Sequence, residues 1–261
     1  MTVDFDKTIP QVEKLMRKVG RFQLQEQDNL SIRMKDKNNP VTQIDIESEK
    51  MLKEGLLDII TGASFRGEES AWSLWEGLCW IVDPLDGTHA YIRKDEGWTI
   101  IVTLMYDDEV LLGAIYSPLE DAFYHATHKS KAYRNDVPMS VDQTKNDVIL
   151  SPRFKEMKLS LTKSIHFGGA YKAMLVAQGL AGAYFHFDIN NMGTQVWDVA
   201  APLLIVKKAG GVVCSFQGEE LFLYQEDSLV KEVIFSNKTT YDLLKDKLES
   251  LKKDFIREHS L

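Results

Sequence analysis

The fold is decided by the stretch Trp80-Ile81-Val82-Asp83-Pro84-Leu85-Asp86-Gly87-Thr88. Its first part belongs to the apolar run of residues 79–82, which predicts a buried strand. The strand ends at an acidic turn that contains both Pro84 and Gly87. Because proline fixes its own φ and glycine permits a positive φ, the backbone can turn tightly enough to bring the carboxylates of Asp83 and Asp86 together. We therefore place the chemistry of the protein at this turn.

Two carboxylates held this close repel each other unless a positive charge lies between them. The simplest partner is a divalent cation, and a site made only of oxygen atoms favours Mg²⁺ over Zn²⁺, which prefers histidine and cysteine. The following residues, 88–92, predict a short helix whose first backbone amides are suited to an anion such as phosphate. A polar turn with a side-chain hydrogen bond and no metal is the simpler alternative, so carboxylates elsewhere in the chain must decide.

The composition indicates a globular protein with a full core, since 44% of the 261 residues are hydrophobic. We expect a single catalytic domain over residues 1–261, with the metal site in residues 1–145 and the substrate pocket in residues 146–261. The net charge of −8 disfavours a nucleic-acid polymer as partner. No signal peptide or long apolar run is visible, so we expect a cytoplasmic protein that does not enter a membrane. Cys79 and Cys214 are expected to be free core thiols.

The spacing of apolar residues predicts different arrangements in the two halves of the chain. In the first half, a helix over residues 9–26 and a helix from Thr42 or Asp45 to residue 60 flank a loop at 28–39 and pack against an antiparallel-rich sheet. The predicted strands of that sheet are 64–70, 79–82, 98–105, 110–116, 122–126 and 131–133. In the second half, helices alternate with strands: the helices are 170–178, 196–209 and 241–253, and the strands are 148–150, 182–187, 211–216 and 233–235.

Three further acidic residues accompany the central turn. Asp45 lies at the start of a helix, Glu68 follows a glycine at the end of a short strand, and Asp198 precedes an apolar helix. Each has an ordinary explanation: Asp45 can interact with the helix dipole, Glu68 can be solvated, and Asp198 can be a helix N-cap. None of the three is evidence for a site by itself.

Taken in order, these segments resemble the inositol monophosphatase superfamily. The resemblance is carried by Asp45 after Val41-Thr42, by Gly67-Glu68-Glu69, by Asp83-Pro84-Leu85-Asp86-Gly87-Thr88, and by Trp197-Asp198 followed by a helix and Gly210-Gly211. The superfamily consists of Mg²⁺-dependent, lithium-sensitive phosphatases and includes bisphosphate nucleotidases and some fructose-bisphosphatases. The resemblance implies a layered α-β-α-β-α sandwich, of mixed α+β or α/β class, and a homodimer.

The resemblance also implies a set of metal ligands for two or three Mg²⁺ ions. Glu68, Asp83 and the main-chain carbonyl of Leu85 would hold the first ion. Asp83 would bridge to a second ion, which Asp86 and Asp198 complete. Glu68 would also touch a third, looser ion. Two such ions can clamp the attacking and leaving oxygens of an in-line displacement.

The catalytic group implied by the resemblance consists of Asp45, Glu68 and Thr88. Thr88 and Asp45 would orient and deprotonate the attacking water, while the backbone amides of Gly87 and Thr88 receive the phosphate. The implied reaction is hydrolysis of a phosphomonoester without a phosphoenzyme, and it depends on neutralising charge on the phosphoryl oxygens.

The implied substrate is a small phosphorylated metabolite, and two groups of pocket residues indicate different ones. Trp197-Asp198-Val199-Ala200 and Ala209-Gly210-Gly211-Val212 are similar to the inositol phosphatases, so we rank inositol monophosphate first. Gly169-Ala170-Tyr171-Lys172 is similar to the nucleotidases that act on 3′-phosphoadenosine 5′-phosphate.

In the nucleotidase interpretation Lys172 would contact a second phosphate, although a lysine on a helix is more often solvated. His89 beside the turn, and Asp188 in place of an acid that binds an inositol hydroxyl, complete the predicted pocket. Fructose 1,6-bisphosphate is the third candidate substrate. A catalytically idle protein that binds a partner is the non-enzymatic alternative.

Overall fold

The computed structural model describes residues 3–36, 39–70, 74, 76–151, 154, 162–165, 167–187, 194–223 and 229–259. Its helices are α1 (Phe5–Glu26), α2 (Gln43–Ile59), α3 (Thr88–Ile92), α4 (Gly169–Ala177), α5 (Val196–Lys208) and α6 (Lys238–His259). Its strands are β1 (Ile32–Asp36), β2 (Asn39–Thr42), β3 (Ser64–Gly67), β4 (Leu78–Asp86), β5 (Thr99–Tyr106), β6 (Glu109–Ser117), β7 (Ala122–Thr127), β8 (Tyr133–Arg134), β9 (Val137–Pro138), β10 (Val148–Leu150), β11 (Thr162–Ser164), β12 (Ala183–Phe187), β13 (Thr194–Gln195), β14 (Val212–Cys214), β15 (Leu229–Val230) and β16 (Glu232–Ser236). None of the described helices is long and apolar enough to cross a membrane.

The larger sheet contains seven strands in the order β3-β4-β5-β6-β7-β8-β9. β3 runs parallel to β4, and the other neighbouring strands are antiparallel. Side chains alternate along β4 because a strand has a two-residue repeat. Trp80 and Val82 therefore pack against α1 and α2, whereas Cys79 and Ile81 pack against α4 and α5. The prediction of two helices on an antiparallel-rich sheet is confirmed.

The second sheet has the strand order β11-β10-β12-β16-β14 and lies on the far side of α4 and α5. Tyr184 and Phe235 of this sheet join the hydrophobic cluster that α4 and α5 form with the first sheet. On its other face, Phe185 and Ile234 pack against Leu248 of α6. The layers are therefore α1/α2, first sheet, α4/α5, second sheet and α6, so the predicted α-β-α-β-α sandwich is confirmed.

Helix α5 lies unusually close to the first sheet. A Cβ atom on Gly113 of β6 would lie 2.9 Å from the Cα of Ala201 in α5, which is closer than such atoms approach. The absence of a side chain at residue 113 thus lets the helix backbone rest on the strand. This contact fixes the distance from the sheet to α5, and hence to the carboxylate of Asp198 in its first turn.

Several predicted boundaries were wrong. The loop predicted for residues 28–39 contains β1, which pairs antiparallel with β2 through Ile32 opposite Thr42. Its polar residues hide the strand pattern. Helix α1 begins at Phe5, not at residue 9, because Asp4 is its N-cap and accepts a hydrogen bond from the Lys7 amide. Helix α6 likewise extends beyond the predicted residues 241–253, and the small β13-β15 pair was not predicted.

Candidate active site

A β-bulge directs the two acids of the central turn to the same side of the sheet. In the pairing of β4 with β5, Asp83 lies opposite Ile101 and Asp86 lies opposite Thr99. Between these two pairs β4 advances by three residues and β5 by only two, so β4 contains one extra residue. Side chains three residues apart on a regular strand point to opposite faces, but the extra residue turns both acids to the same face. Asp83 keeps the direction of Cys79 and Ile81, toward α5. Its Oδ1 accepts a hydrogen bond of 2.8 Å from the Leu85 amide, which closes the turn.

Asp198 approaches this pair from α5. The sequence suggested a helix N-cap, but Gln195 occupies that position and Asp198 is the third helical residue. Asp198 Oδ2 accepts a hydrogen bond of 2.8 Å from the Gln195 amide, as in a capping box. Asp83, Asp86 and Asp198 each contribute a carboxylate oxygen, and the three oxygens lie within 4.8 Å of one another. These acids are separated by up to 115 residues in sequence and meet because α5 packs on the first sheet.

Asp86 is held by the beginning of α4. Its carboxylate accepts hydrogen bonds from the backbone amides of Gly169 (3.1 Å) and Ala170 (2.9 Å), and a longer one of 3.3 Å from Thr99 Oγ1. A Cβ on Gly168 would overlap Asp86 Oδ2 and lie 2.8 Å from Asp86 Cγ, so the carboxylate rests on bare backbone. The N-terminus of α4 thus receives a protein carboxylate.

Thr88 and Asp45 form a second polar pair next to the acids. Asp45 Oδ2 accepts hydrogen bonds from the Thr42 amide (2.8 Å) and hydroxyl (2.6 Å), which is the capping box of α2. Its other oxygen, Oδ1, lies 3.2 Å from the Thr88 hydroxyl. The same hydroxyl lies 3.1 Å from the carbonyl oxygen of Leu85. Gly87, which precedes Thr88, has a φ of 87°, as its place in the turn predicts.

Glu68 directly follows the last residue of β3. Its amide donates a hydrogen bond of 3.1 Å to the carbonyl of Val82, immediately before Asp83. The negative charge of Glu68 raises the pKa of Asp83, of Asp198 and of Asp45. Glu68 thus lies within electrostatic reach of Asp83, Asp198 and Asp45.

The cluster is strongly repulsive without a cation. Burial, and then the charges of Glu68, Asp86 and Asp198, raise the pKa of Asp83 well above its usual range. Burial and the charges of Asp86 and Glu68 do the same to Asp198, and burial raises the pKa of Asp86. Asp83 is 2% exposed and Asp86 9% exposed, so water screens the repulsion between these two acids only weakly. A buried group of oxygen donors with this electrostatic conflict fits a hard divalent cation.

Lys172 brings a positive charge to the same region. It lies on α4, is 3% exposed, and donates a hydrogen bond of 2.7 Å from Nζ to Ser151 Oγ at the end of β10. The ammonium also lies 4.9 Å from the ring centre of Tyr184. Its charge lowers the pKa of Asp86, against the larger effect of burial. The alternative that Lys172 is merely solvated is therefore wrong.

The remaining predicted pocket residues lie at the edge of this arrangement. The side chain of His89 is exposed on α3, one residue beyond Thr88. Asp188 falls outside the described residues, so its predicted contact with substrate has no structural account.

Comparison with known proteins assigns the chain to a family. The model of the inositol monophosphatase family matches residues 5–253. The chain belongs to this family. Because members of the inositol monophosphatase family are metal-dependent phosphatases, the acidic cluster lies in a phosphatase. This confirms the family resemblance and the enzyme class, and the idle, partner-binding alternative loses its support.

Several inositol monophosphatase relatives match nearly the whole chain. A 3′(2′),5′-bisphosphate nucleotidase CysQ of Buchnera aphidicola is 28% identical over 90% of this chain and 93% of its own. A fructose-1,6-bisphosphatase/inositol-1-monophosphatase of Thermotoga maritima is 29% identical over 88% of this chain and 91% of its own. The solved structure of a Thermotoga maritima IMPase superposes with a TM-score of 0.81 at 25% identity, covering 93% of this chain and 97% of that one.

In this inositol monophosphatase family member, the sequence did not predict that a side chain of α1 supports the turn through the Pro84 carbonyl. Gln23 of α1 is fully buried and donates a hydrogen bond of 2.7 Å to the carbonyl of Pro84 and one of 3.0 Å to Ser48 Oγ. A signal was available, because Gln23 continues the buried stripe of Val12, Met16 and Val19. A polar residue in an apolar stripe needs a buried partner.

Proposed function

We propose that this phosphatase hydrolyses the 3′-phosphate of a nucleoside 3′,5′-bisphosphate, represented by 3′-phosphoadenosine 5′-phosphate, with Mg²⁺ as its cation. The observation that supports this substrate class is the buried ammonium of Lys172 beside Asp86. The sequence ranked inositol monophosphate first, and we rank the nucleotide first because Lys172 is buried. The nucleotidase function of the CysQ relative, which matches 90% of the chain, agrees with the proposal.

The burial of Lys172 affects the balance of charge in the site. A buried ammonium is costly unless a negative charge lies near it, and Asp86 supplies part of that charge. A second phosphate on the substrate would place further negative charge beside Lys172, whereas an inositol ring would present only neutral hydroxyl groups there.

The ligands we assign to the cation are the carboxylates of Asp83, Asp86 and Asp198, with Glu68 and the carbonyl of Leu85 completing the set. A divalent cation held there neutralises charge on the phosphoryl oxygens and lowers the pKa of a water molecule. The protein itself contributes the rigid placement of these oxygens, through the bulge in β4 and the amides of Gly169 and Ala170.

Thr88 and Asp45 are assigned to proton transfer. We assign the single hydroxyl proton of Thr88 to Asp45 Oδ1 and not to the Leu85 carbonyl, so the oxygen lone pairs can accept a hydrogen bond from the attacking water. As the water attacks phosphorus, its proton passes to Thr88 and the Thr88 proton passes to Asp45. Burial and the charge of Glu68 raise the pKa of Asp45, which makes it a stronger base than an exposed aspartate. The amides of Gly87 and Thr88 are assigned to the phosphate, and solvent protonates the leaving oxygen.

Inositol monophosphate is the second candidate. The Thermotoga maritima relative named fructose-1,6-bisphosphatase/inositol-1-monophosphatase covers 88% of this chain. In this alternative His89, exposed at the mouth of the site, and Asp188 would contact the sugar hydroxyls. A homodimer and a cytoplasmic location remain predictions, the first of which size-exclusion chromatography with light scattering would test.

The experiment is phosphate release by the purified protein with Mg²⁺ and with a chelator. The substrates are 3′-phosphoadenosine 5′-phosphate, adenosine 3′-phosphate, inositol 1-phosphate and fructose 1,6-bisphosphate. We expect the highest kcat/KM for the bisphosphate nucleotide, and a lower value for adenosine 3′-phosphate, which lacks only the second phosphate. Equal values for these two nucleotides, or a preference for inositol 1-phosphate, would reject the proposed substrate class.

A further inference from the structure

Glu49 is a buried carboxylate with no assigned role. It lies on α2 one helical turn after Asp45 and is 6% exposed. Its Oε2 accepts a hydrogen bond of 2.7 Å from the backbone amide of Glu69, and its Oε1 accepts one from the hydroxyl of Ser70. No lysine or arginine of the described chain forms an ion pair with it. Its charge is therefore stabilised by donors from one short segment, residues 69–70.

The same carboxylate rests directly on the backbone before Glu68. A Cβ on Gly67 would overlap the Glu49 carboxylate, so a side chain at residue 67 would displace that carboxylate. On the opposite side, Gly67 pairs with Val82 of β4, and the Glu68 amide donates to the carbonyl of Val82. The segment of residues 67–70 is thus fixed by β4 on one side and by Glu49 on the other, with Glu68 in the middle.

We infer that Glu49 is a positioning residue for the metal centre. It holds the turn that carries Glu68 at a fixed distance from Asp83, which follows Val82 on β4. Groups that orient a metal ligand from behind change metal affinity by about 10- to 100-fold when they are removed. The inference rests on the proposed metal role of Glu68, but not on the identity of the substrate.

Two substitutions distinguish the hydrogen bonds of Glu49 from its negative charge. In Glu49→Gln the amide oxygen can still accept from the Glu69 amide, and the amide nitrogen can donate to the Ser70 oxygen. In Glu49→Leu both contacts are lost at similar volume. If positioning is the role, Glu49→Gln keeps metal affinity and Glu49→Leu does not. If Glu49 acted only as a nearby negative charge, the two variants would be equally impaired.

The test is calorimetric titration of the metal-free protein with Mg²⁺, combined with hydrogen exchange of the peptide containing residues 67–70. For Glu49→Leu we expect Mg²⁺ binding weakened at least about tenfold and faster exchange of the Glu69 amide. For Glu49→Gln we expect binding within about threefold of the wild type. Glu54→Leu, on the exposed face of α2, is the matched control and should bind Mg²⁺ as the wild type does.

Two further variants keep the inference falsifiable if Glu49→Leu does not fold. Ser70→Ala removes only the hydroxyl donor, and we expect it to weaken Mg²⁺ binding by about threefold. Glu68→Gln should weaken it at least as much as Glu49→Leu. Unchanged Mg²⁺ binding in Glu49→Leu or in Ser70→Ala, or equal losses in Glu49→Leu and Glu49→Gln, would overturn the inference. Unchanged Mg²⁺ binding in Glu68→Gln would overturn both the role of Glu49 and the metal role of Glu68. A preference of the wild type for inositol 1-phosphate would change only the proposed substrate.

Discussion

Asp83 and Asp86 point to the same side of the first sheet although they are three residues apart on one strand. A regular strand would direct them to opposite faces, so the extra residue of the bulge is what makes the pair. Asp198 then completes the cluster from α5, whose height is set by the contact between Gly113 and Ala201. The acidic centre is therefore built from one irregular strand and one closely packed helix.

Gly168→Ala tests the support of Asp86 by α4. The added methyl group would overlap the Asp86 carboxylate, so we expect Mg²⁺ affinity to fall by about tenfold or more. Gly169→Ala is the matched control, because its Cβ would meet only the Tyr184 hydroxyl at an ordinary 3.4 Å. Titration calorimetry measures the Mg²⁺ affinity of both variants. Equal affinities would show that Asp86 does not need this support.

Asp83→Asn tests whether the cluster is organised for a cation. We expect turnover to be abolished, since Asp83 is one of the ligands that we assign to the cation. We also expect the metal-free variant to unfold at a higher temperature than the wild type, because removing one charge relieves repulsion among buried acids. Phosphate release and thermal unfolding in chelator are the measurements. A variant that retains activity would contradict the assigned site.

The raised pKa values of Asp83, Asp86 and Asp198 predict the pH dependence of stability. In the metal-free protein these groups bind protons more tightly when folded than when unfolded. Their contribution to stability is therefore largest below the unfolded pKa of about 4 and is lost as pH rises from there through the raised values. Thermal unfolding in chelator should show this loss relative to Asp83→Asn, and excess Mg²⁺ should remove it. A metal-free wild type that gains stability relative to Asp83→Asn over this range would contradict the account.

Thr88→Ala and Thr88→Ser test the proton-transfer pair. Alanine removes the hydroxyl that lies 3.2 Å from Asp45 Oδ1, and we expect kcat to fall by about 100-fold or more. Serine keeps the hydroxyl and should retain most of the activity. Steady-state kinetics with saturating Mg²⁺ distinguish the two. Similar losses in both variants would show that the methyl group, and not the hydroxyl, is required.

Gln23→Leu tests the support of the turn from behind. It leaves the Pro84 carbonyl and the Ser48 hydroxyl without this buried donor, which costs about 1–3 kcal/mol of unfolding free energy. Gln27→Leu is a milder comparison, because Gln27 bonds the Tyr91 carbonyl at a part-buried position. Denaturant unfolding followed by circular dichroism measures both. No difference from the wild type in Gln23→Leu would mean that the Pro84 carbonyl finds another donor.

The sequence predicts the turn because its signals are local. Pro84, Gly87 and the apolar run before Asp83 determine the strand and its end within a few residues. Thr42 or Asp45 is the predicted cap of α2 for the same reason, and the structure shows Thr42 in that position. These elements need no information from the rest of the chain.

The support of the site could not be predicted, because it depends on distant segments. The Asp86 carboxylate accepts hydrogen bonds from the amides of Gly169 and Ala170, which follow it by 83 and 84 residues. Lys172 looks like a surface lysine until α4 is packed between the two sheets. The helix start at residue 196 was predicted, but the approach of Asp198 to Asp83 and Asp86 depends on how α5 packs on the first sheet.

The account is tested most directly by comparing the wild type and Lys172→Met on two substrates, 3′-phosphoadenosine 5′-phosphate and inositol 1-phosphate, with saturating Mg²⁺. The account predicts that kcat/KM for the nucleotide falls at least about tenfold more than kcat/KM for inositol 1-phosphate, because only the nucleotide presents a second phosphate to the ammonium. An equal fall on both substrates, or a wild-type preference for inositol 1-phosphate, would contradict it.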